Sequence, residues 1–166
     1  MGTIGEDIPC KIMPNVINIS LPAEHDTYAL GQRLSCISEV GDVIALSGKL
    51  GAGKTVLARG IIQAWTGRNE EIPSPTFALV QIYEHSRGVV SHFDLYRLAA
   101  LEDALELGID EAISSGLTLI EWPERLGDQM PRQSLSIHLS VSHKDSCRIA
   151  ELRYCETWDT RLSNFC

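Results

Sequence analysis

The sequence predicts a single α/β domain with a mixed central sheet flanked by helices, and three observations carry that expectation. Val43-Ile44-Ala45-Leu46-Ser47 is a short continuous apolar run, as befits a strand buried on both faces of a parallel sheet. It leads through a glycine-rich segment into residues 54–65, where Val56, Leu57, Ile61 and Ile62 recur at helical spacing. Later in the chain come two pairs of β-rich runs, residues 77–84 with 89–94 and residues 135–141 with 147–154, which call for antiparallel neighbours. Alternating strands and helices with such pairs give one mixed sheet.

Taken in order, residues 1–14 show no periodicity and read as a flexible arm ahead of a domain spanning 15–166. Val16-Ile17-Asn18-Ile19-Ser20-Leu21 alternates in part and predicts the first strand. Residues 23–38 predict a helix through Tyr28, Leu30, Leu34 and Ile37. Gly41-Asp42 turns into the buried strand, and Gly67 closes the helix that begins at Lys54. Pro73-Ser74-Pro75-Thr76 excludes helix and predicts a loop. His85-Ser86-Arg87-Gly88 is a turn between the runs of a hairpin. Residues 98–113 are helix-like and acidic, interrupted by Gly108, and their carboxylates read as a solvated face. Leu117-Thr118-Leu119-Ile120 is a second buried strand, ending at Glu121-Trp122-Pro123.

The chemistry concentrates in Gly48-Lys49-Leu50-Gly51-Ala52-Gly53-Lys54-Thr55, which satisfies the pattern G-x-x-x-x-G-K-[ST]. A triphosphate needs several donors converging on one concavity. Backbone N–H groups supply them only where side chains do not intervene, which the glycines permit. Lys54 reaches the β and γ oxygens as a point charge, Thr55 offers a hydroxyl to magnesium, and the following helix aims its N-terminal dipole at the same anion. The segment therefore predicts a P-loop that holds ATP with Mg2+.

A P-loop needs a second acid at the end of a neighbouring strand. Glu121 and Asp94 both end β-rich runs, and the two are not exclusive. Thr76 stands in a rigid loop where some nucleotide hydrolases place a γ-phosphate sensor, or else in a plain proline-rich connection. His92 has no second histidine at ligand spacing, so a packed or hydrogen-bonded role is expected. Trp65 and Trp122 read as core or edge residues.

Leu50-Gly51-Ala52-Gly53-Lys54-Thr55, Ser74-Pro75-Thr76-Phe77, His92-Phe93-Asp94-Leu95-Tyr96-Arg97-Leu98 and Glu121-Trp122-Pro123-Glu124 occur in that order. Together with Leu105-Glu106-Leu107-Gly108-Ile109 they closely resemble the bacterial TsaE (YjeE) family, over residues 21–141. The resemblance implies a small ATPase that works with TsaB and TsaD to install threonylcarbamoyl on the adenosine beside the tRNA anticodon. In that family the transfer belongs to TsaD, so the resemblance implies that tRNA is met only through the complex. It further implies that Lys54 and the loop from Leu50 to Thr55 bind phosphates, and that Thr55 and Glu121 coordinate magnesium. Asp94 would stand at the catalytic centre, Trp122 near the nucleotide, Thr76 in a switch-like loop, and Thr27 by the adenine. Lys49 stands where many relatives carry an acidic or small polar residue. The stretch from His143 onward shows no pattern tied to the family.

Composition bounds the alternatives. The chain has 166 residues, 44% hydrophobic and 22% charged, which suits one globular domain. A formal charge of −8 disfavours direct contact with a nucleic-acid backbone. No basic, apolar leader opens the sequence and no apolar run approaches a membrane span, so the default compartment is the cytoplasm. Five cysteines without C-x-x-C spacing predict reduced, packing thiols. A small-molecule kinase would need a basic lid, and a regulatory GTPase an N-K-x-D reader; neither is found. A nucleotide-gated docking module, in which hydrolysis is secondary, remains the main alternative. No arginine finger is marked, although Arg97 lies three positions after Asp94.

Overall fold

The computed structural model describes residues 15–142, 147–163 and 165; the expected arm at 1–14 lies outside them. Seven strands form one sheet: β1 (Asn15–Leu21), β2 (Val43–Gly48), β3 (Val80–Tyr83), β4 (Val89–Asp94), β5 (Gly116–Glu121), β6 (Leu135–Val141) and β7 (Arg148–Tyr154). Their spatial order is β1-β7-β6-β2-β5-β4-β3. The central strands β4, β5, β2 and β6 run parallel, while β3 closes one edge antiparallel and β7 and β1 close the other. The mixed sheet is the one expected.

Helices α1 (Glu24–Ile37) and α2 (Lys54–Thr66) pack on one face. Leu30, Leu34, Leu57, Ile61 and Trp65 there join Ile44, Leu46, Leu119, Ile137 and Leu139 in the larger core. The two helices meet at glycines: a Cβ on Gly31 would strike the Leu57 carbonyl, and one on Gly60 the Tyr28 carbonyl. On the other face, α3 (Leu101–Glu106) and α4 (Ile109–Ser115) cover Phe93 and Ile120. Gly108 separates them in the left-handed region at φ 77°, as its place in the acidic stretch suggested.

Two expectations need correction. The first hairpin strand starts at Val80, not at residue 77, because Leu79 takes φ 65° and its N–H donates to the Pro75 carbonyl at 2.7 Å. That turn ends the proline loop before pairing with β4 can begin. A final helix, α5 (Glu156–Ser163), was not expected. Only Trp158 and Leu162, one turn apart, face the core from it. Arg161 ties it to the Ile37 carbonyl and the Asp42 carboxylate.

Among the described residues no helix is long and apolar enough to cross a membrane. Cys36, Cys147 and Cys155 are free thiols.

Candidate functional site

Three chain segments arrive at one end of the sheet because their strands are parallel. Leu46 pairs with Glu121 in the β2–β5 register, and Asp94 pairs with Glu121 in the β4–β5 register. The loop after β2 and the acids ending β4 and β5 therefore share the carboxyl edge, where open α/β sheets bind ligands. A cleft of about 500 Å³ opens there, lined by Lys54, Thr55, Thr76, Asp94, Glu121 and Trp122 together with Leu50, Gly51 and Gly53.

Glycine shapes the loop, most clearly at Gly53 and Gly48. Gly53 has φ 107° and directly precedes α2. Gly48 has φ 135°, and a Cβ there would strike the Leu139 carbonyl of β6. Ala52 is buried beneath the loop, while Leu50 is 78% exposed at its tip.

Lys54 is buried, and its ammonium donates to the Gly48 carbonyl at 2.8 Å and the Lys49 carbonyl at 3.0 Å. The same nitrogen lies 4.0 Å from the centre of the Trp122 ring. Burial lowers the Lys54 pKa from its ordinary value, with Glu121, Glu124 and Asp94 pulling the other way. A phosphate brought to this ammonium would relieve the cost of burying it.

Glu121 is 2% exposed and accepts from Thr55 Oγ1 at 3.1 and 3.3 Å. His92, fully buried on β4, lies with Nε2 2.9 Å from Glu121 Oε1. The expected hydrogen-bonded role of His92 is thus what the geometry gives. Thr55 and Glu121 present hard oxygens side by side at the start of α2. This donor set suits magnesium, which takes one or two protein oxygens and completes its shell with phosphate and water. No group of three His, Cys, Asp or Glu able to hold a metal occurs among the described residues.

Asp94 is likewise buried, and its oxygens are divided. Oδ2 accepts from Thr76 Oγ1 at 2.9 Å and from Ser74 Oγ at 3.2 Å, whereas Oδ1 accepts the Tyr96 N–H at 3.0 Å. The proline loop is thereby pinned to the end of β4. Trp122 takes φ 59°, its N–H donating to the Leu46 carbonyl at 3.1 Å, and its ring packs 4.8 Å from that of Tyr96. A bulky residue in the left-handed region is an uncommon, strained placement, and here it turns the indole over Lys54.

Two expected site residues, Ala52 and Thr27, do not line the cleft. Ala52 packs into the core under the loop. Thr27 is fully buried on α1 with its methyl group toward Gly53, so it supports the loop from beneath. Glu24, Ser74, Tyr96, Arg97 and Arg148 do line the cleft without having been assigned to it. Ser74, Tyr96 and Arg97 belong to motifs already singled out, and only their contacts were hidden. Arg148, at the start of β7, donates Nε–H to the Ala52 carbonyl at 3.1 Å. It falls in the stretch that showed no family pattern, and strand order alone brings it to the loop.

Comparison with known proteins agrees with this geometry. The solved structure of Bacillus subtilis YdiB superposes with a TM-score of 0.77 at 23% identity, covering 92% of this chain and 95% of that one. This supports the fold. The tRNA threonylcarbamoyladenosine biosynthesis protein TsaE of Rickettsia conorii is 38% identical over 132 residues, covering 78% of this chain and 75% of its own. Its counterpart in Treponema pallidum is 40% identical over 117 residues (70% and 85%). That in Mycobacterium tuberculosis is 38% identical over 141 residues (79% and 83%). The family model described as Threonylcarbamoyl adenosine biosynthesis protein TsaE matches residues 21–150, far enough beyond the stretch whose motifs carried the resemblance to include Arg148. The chain belongs to the TsaE family of tRNA threonylcarbamoyladenosine biosynthesis proteins.

Proposed function

We propose that this chain is a Mg2+-dependent P-loop ATPase that supports a TsaB–TsaD complex in threonylcarbamoylation of tRNA in the cytoplasm. The observation that carries the reading is the convergence of Lys54, Thr55, Glu121 and Asp94 on one cleft at the carboxyl edge of the sheet. The free N–H groups at the start of α2 and the Lys54 ammonium would bind the phosphate chain. Thr55 and Glu121 would hold magnesium, which when bound neutralises charge on the β and γ oxygens. Asp94, with Thr76 and Ser74 hydrogen-bonded to it, would orient the attacking water in line with the bond to ADP. Trp122 would leave Lys54 a dry, apolar flank, which strengthens its pull on developing negative charge. Arg148 would stand by the loop at Gly53, and Thr27 would act only by supporting that turn.

ATP turnover, alone and with TsaB and TsaD, tests this reading. Magnesium-dependent release of phosphate that is lost in Lys54→Ala and Glu121→Ala is expected; retained turnover in those variants would contradict the assigned roles. A second reading, nucleotide-gated docking with hydrolysis secondary, is favoured by Leu50 and Phe77, 78% and 83% exposed around the cleft. A hydrolysis-dead variant that still sustains repeated rounds of tRNA modification would favour it.

A further inference from the structure

We propose that Arg97 is the cation this chain itself supplies to the γ-phosphoryl group in the transition state. This inference rests on the hydrolysis proposed above. Three cations line the cleft, and they are held differently. Lys54 is engaged by two carbonyls of the loop, and Arg148 is tethered to the Ala52 carbonyl. The Arg97 guanidinium instead lies 4.4 Å over the ring of Phe77, and among the described residues it forms no ion pair with a carboxylate.

Its position follows from two short stretches of chain. Arg97 lies three residues after Asp94, and Phe77 directly follows Thr76, whose hydroxyl donates to Asp94 at 2.9 Å. The guanidinium is thus kept on the Asp94–Thr76 side of the cleft, while the other two cations are bound to the loop. Stacking on an exposed ring is a weak interaction, so Arg97 is positioned yet costs little to release. Breaking a buried ion pair to free it would cost several times more.

Charge balance gives the cation a task. Glu24, Asp94 and Glu121 face Lys54, Arg97 and Arg148 across the lining, three acids to three bases. As the water oxygen bonds to the γ-phosphorus, the bond to ADP breaks and its electron pair leaves on ADP. The proton from water is released with inorganic phosphate. Negative charge is then shared between the leaving and equatorial oxygens, and a planar guanidinium can bridge two of them. Arg97 forms no covalent bond; it only binds this charge better than that of the ground state.

Calorimetric titration with Mg2+ and either a non-hydrolysable ATP analogue or ADP plus aluminium fluoride, a stand-in for the transferring phosphoryl group, tests the proposal. Arg97→Ala is expected to bind the ATP analogue within about threefold of the parent chain but the fluoride complex at least about a hundredfold more weakly, with a matching fall in turnover. Arg97→Lys should recover only a small part, since a compact ammonium lacks the fork. Circular dichroism checks that each variant is folded. Arg97→Ala binding the fluoride complex as tightly as the parent, or losing both ligands equally, would overturn the proposal. A parent chain that binds the ATP analogue but never traps the fluoride complex would also overturn it and place the missing cation on a partner. A parent chain that binds neither would instead defeat the nucleotide reading.

Discussion

Replacing Glu121 by glutamine separates the site's function from its stability. The carboxylate is 2% exposed, and Asp94 is its register partner on the neighbouring strand. Strands about 4.8 Å apart place the two carboxylates on the order of 6 Å from each other. At an effective dielectric constant of about 20 they repel by roughly 3 kcal/mol, which the nearby Lys54 offsets. The desolvation penalty of a buried carboxylate, several kcal/mol in real proteins, then decides the balance. Glutamine removes it, at a loss of roughly 1 kcal/mol for each of the hydrogen bonds with Thr55 and His92 that ceases to be charge-assisted.

The net expectation is that Glu121→Gln is more stable without nucleotide by about 1–2 kcal/mol, a rise in melting temperature of about 2–8 °C. At nucleotide a hundredfold above its Kd, the parent chain gains about 2.7 kcal/mol, whereas a variant binding a hundredfold more weakly gains only about 0.4. The order of the two melting temperatures should therefore reverse when Mg·ADP is added. Thermal melts with and without Mg·ADP measure this directly. If Glu121→Gln melts below the parent without ligand and shows the same ligand-induced rise, the carboxylate is structural and the reasoning fails.

Four further outcomes follow from the structure. Because burial lowers the Lys54 pKa, the folded chain binds fewer protons than the unfolded one between that pKa and the ordinary 10.5. The Lys54 contribution to stability should accordingly rise with pH across this window. Phosphate binding should draw protons back on, seen as buffer-dependent calorimetric heats at alkaline pH and absent in Lys54→Met. Nucleotide that pulls the Lys54 ammonium from the Trp122 ring should change tryptophan emission, and Trp122→Phe should abolish the change while Trp65→Phe leaves it. Gly60→Ala should destabilise by about 1–3 kcal/mol in denaturant titration, although alanine favours helix, because its Cβ meets the Tyr28 carbonyl.

How much of this could be read from sequence depended on whether the cause was local. The loop, the buried strands and the break at Gly108 are written in residues next to one another, and they stand where expected. The start of β3 was misplaced because Leu79 is apolar and reads as strand, whereas its positive φ comes from the turn closed on Pro75. Helix α5 has only Trp158 and Leu162 as apolar signal and is fixed by distant partners, the Gln133 carbonyl for Trp158 and Asp42 for Arg161. Asp94 and Glu121 were both candidates for the second acid, and parallel pairing makes them neighbours. The same dependence on packing puts Arg148, and not Thr27, in the lining of the cleft, since that is set by how α1 and β7 lie beside the loop.

The most direct measurement is a crystal structure of the chain with a non-hydrolysable ATP analogue and Mg2+. The triphosphate is predicted to lie along residues 48–55, with magnesium between Thr55, Glu121 and the β and γ oxygens and with Asp94 facing the γ-phosphate through a water. Phosphates bound away from that loop, or Asp94 and Glu121 turned from the γ-phosphate, would contradict it.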